Sequence, residues 1–215
     1  MPDYIHHTFA GGGIAFWHIT ETSDELYALL GTQRYDDQLQ TMTNEGRRAE
    51  WLAVRLLVKE LFGFQCEVAY HPTGRPYLKG SDVHISISHT KGYAAVAYHH
   101  DAPIGMDIEY ISSRVERIAS RFTTQEEAAY IDGHDERVRQ MYHLINWSAK
   151  ETLYKLLDSP SLAEFKEVFH IAPYTLAECG AMNATVCDVE KNMLAVSYRT
   201  FPEFVCTWAV AIAAI

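Results

Sequence analysis

The segment "PIGMDIEY", residues 103–110, reads as an apolar strand interrupted by two carboxylates, Asp107 and Glu109. Side chains two apart on a strand leave the same face, so these acids repel each other at close range and call for a positive partner. Further along, Trp147, Ser148, Glu151 and Lys155 fall at i, i+1, i+4 and i+8 of a helical run, with Glu151 and Lys155 one turn apart. Taken alone, a Glu/Lys pair of this kind is a solvated ion pair worth a few tenths of a kcal/mol. Joined to Asp107 and Glu109, it completes a set of three hard oxygen donors and one cation. That chemistry suits Mg²⁺, which takes few protein carboxylates and fills its shell with water and substrate phosphate oxygens. Ca²⁺ is the weaker choice, because the sequence has no EF-hand loop.

A phosphate substrate needs cations away from the acids. Arg48, Arg55 and Lys59 sit at i, i+7 and i+11 of an earlier helical run, with Arg47 alongside, although a solvated helix face explains such a stripe equally well. "TGRPYL" sets Arg75 between Gly74 and Pro76, in a turn that either aims a guanidinium or is ordinary surface. "SISHTKG" ends a strand with Ser88, His89 and Lys91, a place for hydroxyl, imidazole and backbone N–H groups to meet an anion; a lone His there is more often structural. No HExxH, GxSxG or P-loop pattern occurs, and "GGG" at residues 11–13 lacks the Lys that a P-loop needs.

The elements that must hold these groups follow from periodicity. A strand is expected near residues 14–19, then a helix over 45–62 with Trp51, Leu52, Val54, Leu57, Val58 and Leu61 on one side and Gly63 as its stop. "VHISIS", "YAAVAY" and "IGMDIEY" then predict a three-strand meander. In "FTTQEE", Thr123 and Glu126 have capping-box spacing, and residues 137–157 keep Val138, Met141, Tyr142, Ile145, Ala149, Thr152, Leu153 and Leu156 on one stripe of a long core helix. Strands near 168–171, 194–199 and 205–212 complete an α/β (α+β) chain read as two halves, 1–110 and 111–215. "CTWAVAIA" faintly echoes "GYAAVAY", a hint that the halves are alike.

Composition narrows the classes. With 215 residues and 48% apolar content the chain can bury a sizeable core, and a formal charge of −10 argues against nonspecific nucleic-acid binding. Cys66, Cys179, Cys187 and Cys206 show no zinc spacing and are expected to be reduced, mostly buried thiols of a cytoplasmic protein. Neither a secretory h-region nor a run long enough to span a membrane is present in the sequence, and the sequons at Asn146 and Asn183 are read as accidental.

"IGMDIE" followed by "WSAKETLYK" resembles the paired motifs of the surfactin-synthetase-activating type of 4′-phosphopantetheinyl transferase, (I/V)G(I/V)D-x-E and (F/W)-(S/C/T)-x-K-E-x-x-x-K. "GRPYL" and "ISISH" are similar to that family's upstream segments, so the resemblance runs in matching order from Arg47 to Leu157. It implies two similar α/β halves forming an intramolecular pseudo-dimer, with coenzyme A in the cleft between them. It implies that Asp107, Glu109 and Glu151 hold Mg²⁺, with Mn²⁺ as an alternative, and that Lys155 contacts the coenzyme pyrophosphate. Ser88 and His89 would bind coenzyme phosphate, as would Arg75 between Gly74 and Pro76, and Arg47 or Arg48 would meet the ribose 3′-phosphate. Two departures stand out: Arg75 replaces the usual Lys, and Met106 replaces a β-branched residue. Glu126 aligns with a carboxylate sometimes given a catalytic part, in competition with its capping role.

The implied reaction moves 4′-phosphopantetheine from coenzyme A to a serine of an apo acyl or peptidyl carrier protein, leaving adenosine 3′,5′-bisphosphate, with Glu151 and Lys155 as the catalytic residues. The protein is expected to be a monomer whose partners are coenzyme A and the carrier, with no nucleic acid and no membrane. A Mg²⁺-dependent nucleotide pyrophosphohydrolase and a non-catalytic carrier-binding module are the alternatives.

Overall fold

Strand alternation and helical periodicity resolve into a mixed α/β chain whose contacts gather into two units, Met1–Asp101 and Ala102–Ile215. The computed structural model describes residues 4–157, 165–187 and 193–211.

The first unit begins with β1 (Tyr4–Phe9) and β2 (Gly12–His18), followed by α1 (Ser23–Leu30), α2 (Asp36–Gln40) and α3 (Glu45–Phe62). A small hairpin, β3 (Val68–Tyr70) with β4 (Pro76–Leu78), precedes β5 (His84–Thr90) and β6 (Tyr93–His99). The main sheet has the order β1-β2-β6-β5, antiparallel throughout. Trp17, Leu26, Leu52, Leu57 and Val96 belong to its core, and α3 supplies the apolar stripe that its periodicity predicts. Local chemistry sets the helix ends. Thr22 and Glu25 form a capping box on α1, and Asn44 accepts from the Arg47 N–H at the start of α3. Gly63 ends α3 at φ 90°, a left-handed backbone that favours glycine, with its N–H donated to Lys59 O.

The second unit opens with β7 (Ile104–Tyr110), then α4 (Arg114–Phe122), α5 (Gln125–Ile131), the long α6 (Glu136–Leu157) and α7 (Phe165–Val168). β8 (Phe169–Ile171), β9 (Cys179–Val186), β10 (Met193–Thr200) and β11 (Phe204–Val210) follow, in the sheet order β7-β11-β10-β9-β8. Its core takes Leu144, Ile145, Ala149 and Leu153 from α6 together with Phe169, Val196 and Val205 from the sheet.

The structure corrects several expectations. β7 does not continue a meander with β5 and β6; it pairs with β11 from Ile104↔Val210 to Tyr110↔Phe204, so the division of the chain falls after Asp101 and not after 110. The capping box at α5 joins Thr124 to Glu127, one residue on from the expected Thr123 and Glu126, and Glu126 is exposed. Of the cysteines only Cys206 is buried; Cys66 is half-buried, and Cys179 and Cys187 are exposed. The supposed basic stripe on α3 dissolves. Arg55 is buried with its guanidinium 3.5 Å from the Trp51 ring centroid, and Lys59 donates to the last carbonyls of α1, Leu29 O and Leu30 O. The tail of the expected strand 205–212 ends earlier, at Val210, and its last residue lies outside the described residues. Among the described residues no helix is long and apolar enough to cross a membrane.

Candidate active site

A glycine lets the site form. Gly105, Asp107 and Glu109 share one face of β7, and a Cβ added at Gly105 would stand 2.3 Å from Thr152 O and 2.8 Å from Leu156 Cβ. No other residue type lets α6 ride so close on the strand, which explains the Gly two positions ahead of Asp107. That approach carries the next turns of α6 over the two acids.

Three contacts then define the cluster. Lys155 Nζ pairs with Asp107 Oδ1 at 2.8 Å, and Ser148 Oγ donates to Asp107 Oδ2 at 2.9 Å. Trp147 Nε1 donates to Glu109 Oε1 at 2.7 Å. Lys155, one turn from Glu151 along α6, is thus engaged with Asp107. Ser148 is wholly buried, so it lies on the packed side of α6.

The electrostatics show how close the acids stand. Burial, and then the negative field of Asp107, push the Glu109 carboxyl up to about 7, against the opposing pull of Trp147 and Lys155. Burial and Asp107 likewise push Glu151 up to about 7, with Glu109 adding to the effect and Lys155 opposing it. Three acids beside one ammonium, two of them with raised proton affinity, leave an excess of negative charge in a poorly solvated place. A divalent cation suits that excess, and oxygen donors suit a hard ion. Among the described residues no three His, Cys, Asp or Glu side chains are gathered as a ready-made cage. The donor set therefore fits an ion that takes a few carboxylates and draws its remaining oxygens from a ligand.

Residues 103–208 match the model of the 4′-phosphopantetheinyl transferase superfamily.

The match includes Asp107, Glu109, Trp147, Ser148, Glu151 and Lys155, and it supports a transferase acting in phosphopantetheinylation. No curated protein matches the chain. The superfamily match stops short of the first unit, whose expected phosphate ligands are spread along its elements. Arg47 is exposed on α3, and Arg48 reaches toward Asp24 at 4.0 Å. Arg75 follows Gly74, which has φ 92°, and precedes Pro76 at the start of β4; its charge helps to hold the imidazole of His84, at the beginning of β5, below the usual histidine range, where burial is the larger cause. Ser88 is buried near the other end of β5, and His89 Nδ1 lies 3.2 Å from Glu50 Oε2 on α3.

Sequence reasoning missed two features of the second unit. Lys150, inside the "WSAKE" run, is fully buried and donates to Glu127 Oε2 at 2.8 Å and Phe122 O at 2.6 Å. Glu127 also accepts from the N–H groups of Thr124 and Ile171. The second is Thr207, which no motif marks; its strand register alone sets it opposite Asp107.

Proposed function

We propose that the protein transfers the 4′-phosphopantetheine group of coenzyme A to a serine hydroxyl of an apo acyl or peptidyl carrier protein, in the manner of the surfactin-synthetase-activating type. The observation that carries this reading is the acid cluster of Asp107, Glu109 and Glu151 beside Lys155, in which burial and the charge of Asp107 raise the proton affinities of Glu109 and Glu151.

Asp107, Glu109 and Glu151 would hold Mg²⁺ or Mn²⁺. A bound divalent ion would supply charge neutralisation on the pyrophosphate, which is the main demand of phosphoryl transfer. Lys155, now paired with Asp107, would turn its ammonium to a phosphate oxygen and stabilise the leaving group. The serine oxygen attacks the pantetheine-side phosphorus, the bond from that phosphorus to the bridging pyrophosphate oxygen breaks, and adenosine 3′,5′-bisphosphate departs with the electron pair. The serine proton would go to Glu151, the carboxylate that α6 brings to the cluster. In the first unit, Arg47 or Arg48 would meet the ribose 3′-phosphate, and Ser88, His89 and the Gly74–Arg75–Pro76 turn would bind the remaining phosphate oxygens.

The test is intact-mass measurement of apo-carrier proteins incubated with coenzyme A and Mg²⁺, with and without chelator. A mass gain of one phosphopantetheine that chelator abolishes supports the reading. Release of phosphopantetheine without any carrier would replace it with a pyrophosphohydrolase. Carrier binding without mass gain across carriers would replace it with a binding module.

A further inference from the structure

Beneath Asp107 lies a knot of three hydroxyls, each on a residue with no measurable exposure: Ser148 and Thr152, one turn apart on α6, and Thr207 on β11. Ser148 Oγ is 3.0 Å from Thr207 Oγ1, Thr152 Oγ1 is 2.7 Å from the same atom, and Thr152 Oγ1 donates to Thr207 O at 3.0 Å. Each hydroxyl has one proton to donate, and the bond to Asp107 sets where they go. Ser148 spends its proton on Asp107 Oδ2, so at its contact with Thr207 Oγ1 it can only accept; Thr207 spends its one proton there and accepts in turn from Thr152, whose proton lies between Thr207 Oγ1 and Thr207 O. The surrounding layer is apolar, with Ala149, Leu153 and Ala209 as neighbours in sequence or register. Three hydroxyls in such a layer are more than packing requires, since a buried polar group must be satisfied to avoid a penalty.

We propose that Thr207 is a positioning residue: its hydroxyl locks Ser148 in the orientation that presents a donor to Asp107 Oδ2, and so fixes the carboxylate for the divalent ion. A helical serine left to itself turns its proton to a carbonyl in the preceding turn of its own helix. Thr207 occupies the Ser148 oxygen from the other side and holds it toward Asp107. With Lys155 on Oδ1 and Ser148 on Oδ2, both oxygens of Asp107 are set by α6, while Thr207 sets Ser148 from the neighbouring strand. Partners that orient a ligating carboxylate in this way ordinarily change metal affinity by about 10–100-fold when removed.

The inference rests on the metal reading above, and the experiment separates the two. Mn²⁺ affinity is measured by calorimetry in the presence of coenzyme A for the full chain and for Thr207→Val, Thr207→Ser, Ser148→Ala and Asp107→Asn, each with a thermal melt. Valine keeps the shape of threonine, so Thr207→Val is expected to melt close to the parent yet bind Mn²⁺ about tenfold more weakly. Thr207→Ser, which restores the donor, is expected to recover the affinity, and Ser148→Ala to weaken it at least as much as Thr207→Val. If Thr207→Val does not fold, the Ser148→Ala and Thr207→Ser pair decides the matter by the same readout. Unchanged Mn²⁺ binding in Thr207→Val or Ser148→Ala, alongside lost binding in Asp107→Asn, overturns the positioning role alone. Unchanged binding in Asp107→Asn overturns the metal reading and the inference with it.

Discussion

Lys150 and Glu151 are adjacent on α6 and have opposite circumstances. Lys150 is buried with its charge answered: Glu127 at 2.8 Å, Phe122 O at 2.6 Å, and the remaining acceptor capacity of Glu127 taken by two backbone N–H groups. Glu151 sits half-buried among two like charges, and burial with that repulsion pushes its carboxyl up to about 7. The first arrangement ties α4, α5, α6 and β8 together; the second stores electrostatic tension that a ligand can relieve. A buried ion pair complete in its hydrogen bonds is a structural device, whereas an incomplete set of like charges is a place prepared for something else.

The sharpest way to break this comparison is at the satisfied pair. Lys150→Ala leaves Glu127 as a buried, unpaired charge and is expected to cost about 3–5 kcal/mol, read as a drop in the urea midpoint. Glu151→Gln should do the reverse, with a melt near or above that of the parent and transfer to an apo-carrier reduced at least about a hundredfold, on the order of 3 kcal/mol. A Glu151→Gln protein with near-normal turnover at saturating Mg²⁺ would remove Glu151 from the mechanism. Gly105→Ala, which forces a methyl against Thr152 O, is expected to destabilise by about 1–3 kcal/mol and to lower activity as α6 lifts from β7; unaltered melting and turnover would show that the close approach is dispensable.

The smallest effect sharpens the comparison through pH. Glu109 and Glu151 have folded-state values near 7 against an ordinary 4.5, so the folded chain holds protons that the unfolded chain has released. Their contribution to metal-free stability is fully present below about 4.5 and is lost as pH rises toward 7. Melts across that window, compared between the parent and a Glu109→Gln/Glu151→Gln double variant, should show a downward slope in the parent that the double variant lacks. Mn²⁺ binding should move the other way, strengthening with rising pH because ligating carboxylates must give up their protons.

Much of the site was legible because its residues obey strong periodicities. The two-residue spacing of Asp107 and Glu109 gives a shared strand face, and the four-residue spacing of Trp147, Glu151 and Lys155 gives one helix stripe. The fold was less legible where local signals were degenerate or faint. "TTQEE" satisfies the capping-box pattern in two registers, and only the long-range partners of Glu127, Lys150 and Ile171, select the second. β9 went unseen because "CGAMNATV" is poor in β-branched and aromatic residues, although Met182, Ala184 and Val186 do alternate inward. The first-sheet meander failed at β7, since nothing local in "IGMDIEY" says whether its partner is the preceding strand or one nearly a hundred residues later. Thr207 was invisible for the same reason: its meaning lies in register.

At Gly105, main chain rests directly on main chain, with no side chain acting as a spacer that substitution could lengthen or trim. Repacking elsewhere in the core can tilt α6, but it would rock about this fulcrum rather than slide. Groups directly over the pivot, such as Thr152, would then hardly shift, while Glu151 and Lys155 on the flank would swing. Variants that alter the proposed transfer without entering the site should therefore concentrate among residues that set the tilt of α6, such as Leu153 and Ile145, more than among those that set its height.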